Sequence, residues 1–147
     1  MNMLTITLTA AGAAALLNFW LSYRIATLRS SENIWVGDGG HPQLTARMRA
    51  QLNFAEYTPL VLILMGLIEF ARGTSTWLWA AGIIYILGRI VHPFGLDKQT
   101  ASPLRAAGIL TTWIVLIGLA VYALSLPYVT RNGTITSITS DGLGAGQ

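Results

Sequence analysis

Four long apolar runs, 4–21, 46–70, 77–91 and 104–126, are separated by short polar stretches. Each approaches the roughly 20 residues that carry a helix across a bilayer. The runs are continuous rather than alternating, which favours helices over strands. In hydrocarbon, moreover, only helices and closed barrels satisfy their own backbone groups. The pattern predicts an all-α integral membrane protein with four spanning helices, the first continuing towards Arg24 or Arg29. That first run has no Lys or Arg before it and is long for a signal-peptide core, so it reads as a retained helix.

The connections predict where the helices stop. Residues 30–43 contain Gly37-Asp38-Gly39-Gly40-His41-Pro42, a strong helix breaker. Residues 71–76 form a turn around Gly73, and 93–103 form a third connection bounded by prolines. Past Pro127 the chain turns Ser/Thr/Gly-rich, with too little apolar surface to order itself. The expected division is a membrane domain over 1–128 and a flexible polar tail over 129–147.

Composition narrows the class. Of 147 residues, 53% are hydrophobic and 10% charged, against roughly 25% charged in soluble domains. No soluble core hides that much apolar surface without leaving large exposed patches. There is no Cys, which excludes disulfides, thiolate zinc sites and a protein cysteine nucleophile. The two histidines, His41 and His92, have no ligand spacing, so no metal is expected. The net charge of +3 is dispersed, with no basic tract to bind nucleic acid. Arg24, Arg29, Arg47 and Arg49 flank the first loop, and Arg89, Lys98 and Arg105 the third. Only Arg72 and Arg131 lie on the other side. The positive-inside bias places the first and third loops in the cytoplasm and both termini outside.

The chemistry gathers at that same end. At about 100° per residue, Arg49, Asn53 and Glu56 fall within an arc of roughly 60° on the second helix. A cation, an amide and an anion on one face suit a small zwitterion with an amine and carboxylates. Intramembrane charge usually faces a bundle interior or a water-filled cavity. The plainer reading is an Arg49–Glu56 pair that pins helices, a long reach across two turns. Tyr57 lies further round, as a binding group or an interfacial anchor, and Pro59 loosens the helix. On the third helix Tyr85, Arg89 and His92 recur at helical spacing. Two plainer roles stand beside them: His92 as a helix-end residue before a proline stop, and Arg89 as a snorkelling cation. Arg105 opens the fourth helix, within reach of lipid phosphate or of a site.

These residues resemble the MAPEG family, the membrane-associated proteins of eicosanoid and glutathione metabolism. The match is carried by Arg49-Ala50-Gln51-Leu52-Asn53, then Glu56-Tyr57 and Pro59-Leu60, with Gly88-Arg89, His92 and Arg105 at suitable separations. The Gly37-Asp38-Gly39-Gly40 loop is similar to that of small bacterial inner-membrane members. The resemblance spans 4–126. It implies a left-handed four-helix bundle assembled as a homotrimer, with glutathione as cosubstrate between subunits near the cytoplasmic face. By motif position Arg49, Asn53, Glu56 and Tyr57 hold the peptide, joined by Arg24, Arg89 and His92. Arg105 matches the arginine that stabilises the glutathione thiolate. Several relatives carry a Tyr where this chain has Leu96, and one prostaglandin-forming branch a Ser where it has Ala106. Both differences argue against a specialised eicosanoid synthase.

The expected function is a membrane glutathione transferase with an associated glutathione peroxidase activity. It would act on a lipophilic electrophile or hydroperoxide arriving through membrane lipid. The alternative is a noncatalytic module whose polar residues set helix packing and oligomerisation. A transporter fits less well, for no paired half-helices are evident.

Overall fold

The computed structural model describes residues 3–98 and 102–144. They form four helices, α1 (Thr5–Glu32), α2 (Pro42–Arg72), α3 (Thr76–Asp97) and α4 (Pro103–Gly144), and no strand among the described residues. All four are long and apolar enough to cross a membrane, α4 over Pro103–Val129. The chain is therefore an all-α, four-span membrane bundle.

Local chemistry explains the turns between helices. Asn33, in the left-handed region at φ 55°, ends α1, and the Ile34 amide returns to the Arg29 carbonyl at 3.0 Å. Asn tolerates this conformation better than most non-glycine residues. Pro42 occupies the first turn of α2, where its missing N–H costs nothing. His41 caps that helix through Nδ1, accepting from the Leu44 amide at 3.3 Å. At the far end Gly73, at φ 76°, turns the chain out of α2.

Two helices run past their predicted ends. The apolar run of the third stops at 91, yet α3 continues through Pro93 to Asp97. A proline removes one N–H and disturbs the carbonyl four residues back, and here the packing against α4 outweighs that loss. Likewise α4 is helical through Gly144, across Pro127 and much of the segment read from sequence as a tail.

Helices α2 and α3 each touch every other helix, whereas among the described residues α1 and α4 do not touch one another. One buried cluster joins Ile6, Ala10, Val61, Met65, Ile68, Leu78, Tyr85, Val115 and Leu119. A second, nearer the first loop, joins Ala14, Leu17, Leu21, Ala46, Ala50, Phe54 and Leu96. The outer surface is apolar as well, with Leu16, Phe19, Phe70, Ile114 and Leu124 all at least 70% exposed. Lipid, not water, is the solvent such a surface fits.

Where α3 meets α4 the backbones nearly touch. A Cβ on Gly95 would lie 2.2 Å from the Arg105 amide nitrogen, and one on Gly108 2.6 Å from the His92 Cβ. Small residues at such crossings permit the close approach that drives association in lipid.

Candidate functional site

The site lies at the end of the bundle where α1 finishes, α2 begins, α3 finishes and α4 begins. The loop between α1 and α2 is held from within. The Asp38 carboxylate accepts from the Thr45 hydroxyl at 2.7 Å and the Gly40 amide at 3.1 Å. The Thr45 bond, followed by the Gly40 bond, draws the Asp38 carboxyl below its ordinary pKa. Gly37, Gly39 and Gly40 adopt positive φ, which lets the loop close this tightly. The first turn of α2 is thereby tied to the loop that follows α1.

Most of the cations at this end are already engaged. Arg24 pairs with Asp97 across α1 and α3, with its guanidinium 4.8 Å over the Trp20 ring. Arg47 donates to the Arg24 carbonyl at 2.7 Å, and Arg29 to the Ile34 carbonyl at 3.1 Å. Gln51 donates to Ser22 at 2.6 Å. The Arg24–Asp97 pair is the one salt bridge among the described residues, so the Arg49–Glu56 pair considered from sequence does not form.

Arg49 and Arg105 are different. Both are exposed, and both line one cleft of about 460 Å³ with Pro42, Thr45, Ala46 and Leu96. Arg49 also borders a groove of about 680 Å³ on the α1 side, lined by Ile25, Arg29, Asp38, Thr45, Met48, Gln51, Leu52 and Ala55. These volumes match those of small-ligand pockets, roughly 300–1,000 Å³. Two guanidiniums from helices far apart in sequence thus converge on one opening, a natural place for a carboxylate or another anion. Leu96 gives the cleft an apolar wall.

Further along α2, Asn53 is half-buried and Glu56 exposed on the face that Arg49 begins. At 1.5 Å rise per residue they stand roughly 6 Å and 10 Å beyond Arg49. Tyr57 is half-buried and its hydroxyl accepts from the Trp113 indole at 3.4 Å, tying α2 to α4. Asn53 and Glu56 line neither of the two openings around Arg49.

The third-helix stripe turns inward. Arg89 is only 1% exposed, so the snorkelling role is excluded. Its guanidinium donates to the Thr112 hydroxyl at 3.3 Å and stands 5.6 Å from the Phe54 ring. Tyr85 and Thr58 share a hydrogen bond of 2.7 Å beside it. His92 is also buried, its Nδ1 3.3 Å from the Arg105 carbonyl oxygen. It is not a helix-end residue before a stop, because α3 runs one more turn past Pro93.

Two acids escaped the sequence reading. Asp97 needed its partner Arg24, 73 residues away, to acquire meaning. Glu69 sits near the opposite end of the bundle and accepts from the Ile6 amide, the Thr7 amide and the Thr7 hydroxyl at 2.9, 2.8 and 2.8 Å. It supplies the cap that α1 lacks locally. An acid at the far end of the apolar run, four residues before Gly73, was the available signal, since charge in a membrane requires a partner. Among the described residues no cluster of three or more acidic and histidine side chains is arranged to hold a metal.

Comparison with known proteins agrees with this architecture. The profile of the MAPEG family matches residues 7–125. The inner membrane protein YecN of Escherichia coli strain K12 is 31% identical over 105 residues, 71% of this chain and 79% of that protein. The protein of the same name from Escherichia coli O6:H1 strain CFT073 gives the same figures. With four spanning helices, a family match over nearly the whole bundle and inner-membrane relatives, the chain is an integral inner-membrane protein that belongs to the MAPEG family.

Proposed function

We propose that the chain is a membrane glutathione transferase with an associated glutathione peroxidase activity. The observation that carries this reading is the convergence of exposed Arg49 and Arg105 on one cleft without a carboxylate partner among the described residues. Glutathione has two carboxylates, an ammonium and a thiol. Arg49 takes a carboxylate, Glu56 the ammonium and Asn53 an amide, while Tyr57 borders the peptide. Arg105 faces the sulfur. Arg24, Arg89 and His92 support the site from behind, since each is engaged within the protomer. The exposed α2 face invites a neighbouring subunit, in keeping with a homotrimer whose sites lie between protomers on the cytoplasmic side.

A free thiol titrates near 8.5 and is a poor nucleophile at neutral pH. A guanidinium within hydrogen-bond reach favours the thiolate, and the thiol proton leaves to solvent. With an electrophile, the sulfur pair forms an S–C bond as the leaving group departs with its own pair. With a hydroperoxide, sulfur takes the terminal OH, the O–O bond breaks, and the alkoxide is protonated to an alcohol. The glutathione sulfenic acid then condenses with a second glutathione to give disulfide and water. Lipophilic substrates reach the site through the bilayer.

The test is Arg105→Ala in purified, detergent-solubilised protein. Thiolate absorbance should vanish and turnover fall on the order of 10²-fold or more, as for other removed transition-state donors. Glutathione affinity should stay within about twofold of the native value, because other groups hold the peptide. Native turnover in that variant would remove Arg105 from the mechanism. The internal use of Arg24, Arg89 and His92 favours one competitor, a noncatalytic packing module. That reading predicts no glutathione binding by the native protein, and impaired assembly when Arg49 or Glu56 is neutralised.

A further inference from the structure

Arg105 lies in the first turn of α4, which opens at Pro103, and contacts from outside that helix help to fix it. Two contacts from α3 do so. The first is His92. Its Nδ1 lies 3.3 Å from the Arg105 carbonyl oxygen, and a carbonyl can only accept, so Nδ1 carries the proton. Among the described residues the Nε2 atom is buried without a hydrogen-bond partner, and in this tautomer it is a bare acceptor rather than an orphaned donor. The ring is 2% exposed, and among the described residues its one hydrogen bond is to the Arg105 main chain. The second contact is steric. Gly95 lies one turn along α3, where a Cβ would fall 2.2 Å from the Arg105 nitrogen and 2.7 Å from its Cα. On the next turn of α4, Gly108 admits the His92 side chain and main chain in the same way, at 2.6 and 2.9 Å.

We infer that His92 is a positioning residue. Through its Nδ1–H bond to the Arg105 carbonyl, across the glycine-lined contact of α3 and α4, it sets where the Arg105 guanidinium stands in the cleft. The inference rests on the proposed thiolate role of Arg105, and it departs from the expectation that His92 binds the peptide itself. Because the Arg105 side chain is exposed and unpaired among the described residues, its main chain is the part the protomer can anchor. A small rotation of the first turn of α4 would move the guanidinium away from the sulfur.

The experiment compares His92→Leu with His92→Asn, whose amide N–H can take the place of Nδ1–H. In His92→Leu the pKa of bound glutathione, read from thiolate absorbance against pH, should rise by about one unit, and turnover at neutral pH should fall about tenfold. The glutathione dissociation constant should stay within about twofold. His92→Asn should recover most of the thiolate shift. Equal loss in both variants, no loss in either, or a parallel loss of affinity in His92→Leu would overturn the assignment. Amide hydrogen exchange in the ligand-free protein gives an independent readout. Residues 104–108 should exchange faster in His92→Leu and at the native rate in His92→Asn. Unchanged exchange in His92→Leu overturns the anchoring even if the protein binds no glutathione. Faster exchange together with native Arg105→Ala turnover would retain the anchor and discard the thiolate reading.

Discussion

At the scale of single residues, burial and partnership decide what each charge is for. Glu69 is 2% exposed, yet its carboxylate is used by three donors at the start of α1. Glu69→Ala should strand the Ile6 and Thr7 amides and cost about 3 kcal/mol, read as a lower midpoint for unfolding in denaturing detergent. A midpoint equal to the native value would show that α1 does not depend on this cap. Glu56 is the opposite case, an exposed acid with no salt-bridge partner among the described residues. Glu56→Gln should weaken glutathione binding about tenfold, the value of one charge-assisted hydrogen bond, while leaving unfolding unchanged. Equal dissociation constants would withdraw Glu56 as the ammonium partner. The face that Glu56 shares with Arg49 and Asn53 was legible because those residues are near in sequence. The role of Glu69 was not, because its donors are more than 60 residues away.

At the scale of elements, Pro93 and Pro127 were misleading, and the glycines inside helices were informative only after folding. Pro93 reads as a stop, but one lost hydrogen bond does not end a helix that is packed along its length. The residues after it, Gly95 and Leu96, are buried against neighbouring helices. Among the glycines of α4, Gly108 faces His92 while Gly118 has nothing within 4 Å. Gly108→Ala should push α3 from α4 and destabilise by about 1–3 kcal/mol, as overpacking does. Gly118→Ala should be neutral or stabilise by up to about 1 kcal/mol through helix propensity. Thermal unfolding of the two variants in the same detergent checks the contrast, and equal losses would refute the packing argument. Nothing in the sequence separates these two glycines, since both sit in the same apolar run.

At the scale of the whole molecule, the bundle is apolar outside and polar at one end. That end carries Arg24, Arg29, Arg47, Arg49 and Arg105, and on the positive-inside bias we propose that it faces the cytoplasm. The chain has no cysteine, so single cysteines report topology without background. Ser31→Cys in intact cells should resist a membrane-impermeant thiol reagent until the membrane is opened, and Thr74→Cys should react at once. The reverse pattern would invert the assignment and place the Arg49–Arg105 cleft outside, away from cytosolic glutathione.

Sequence alone determined the number of spanning helices and the shared face of Arg49, Asn53 and Glu56. Hydropathy and helical period are local properties, set by neighbours a few residues apart. It also determined the family, through a motif confined largely to one helix. Tertiary structure decided which charges remained available. It paired Arg24 with Asp97, enclosed Arg89 beside Thr112, turned His92 onto the Arg105 backbone, and brought Arg49 and Arg105 to one cleft. Each of these joins residues on different helices. Their meeting depends on how the helices pack, which spacing along a single helix does not encode.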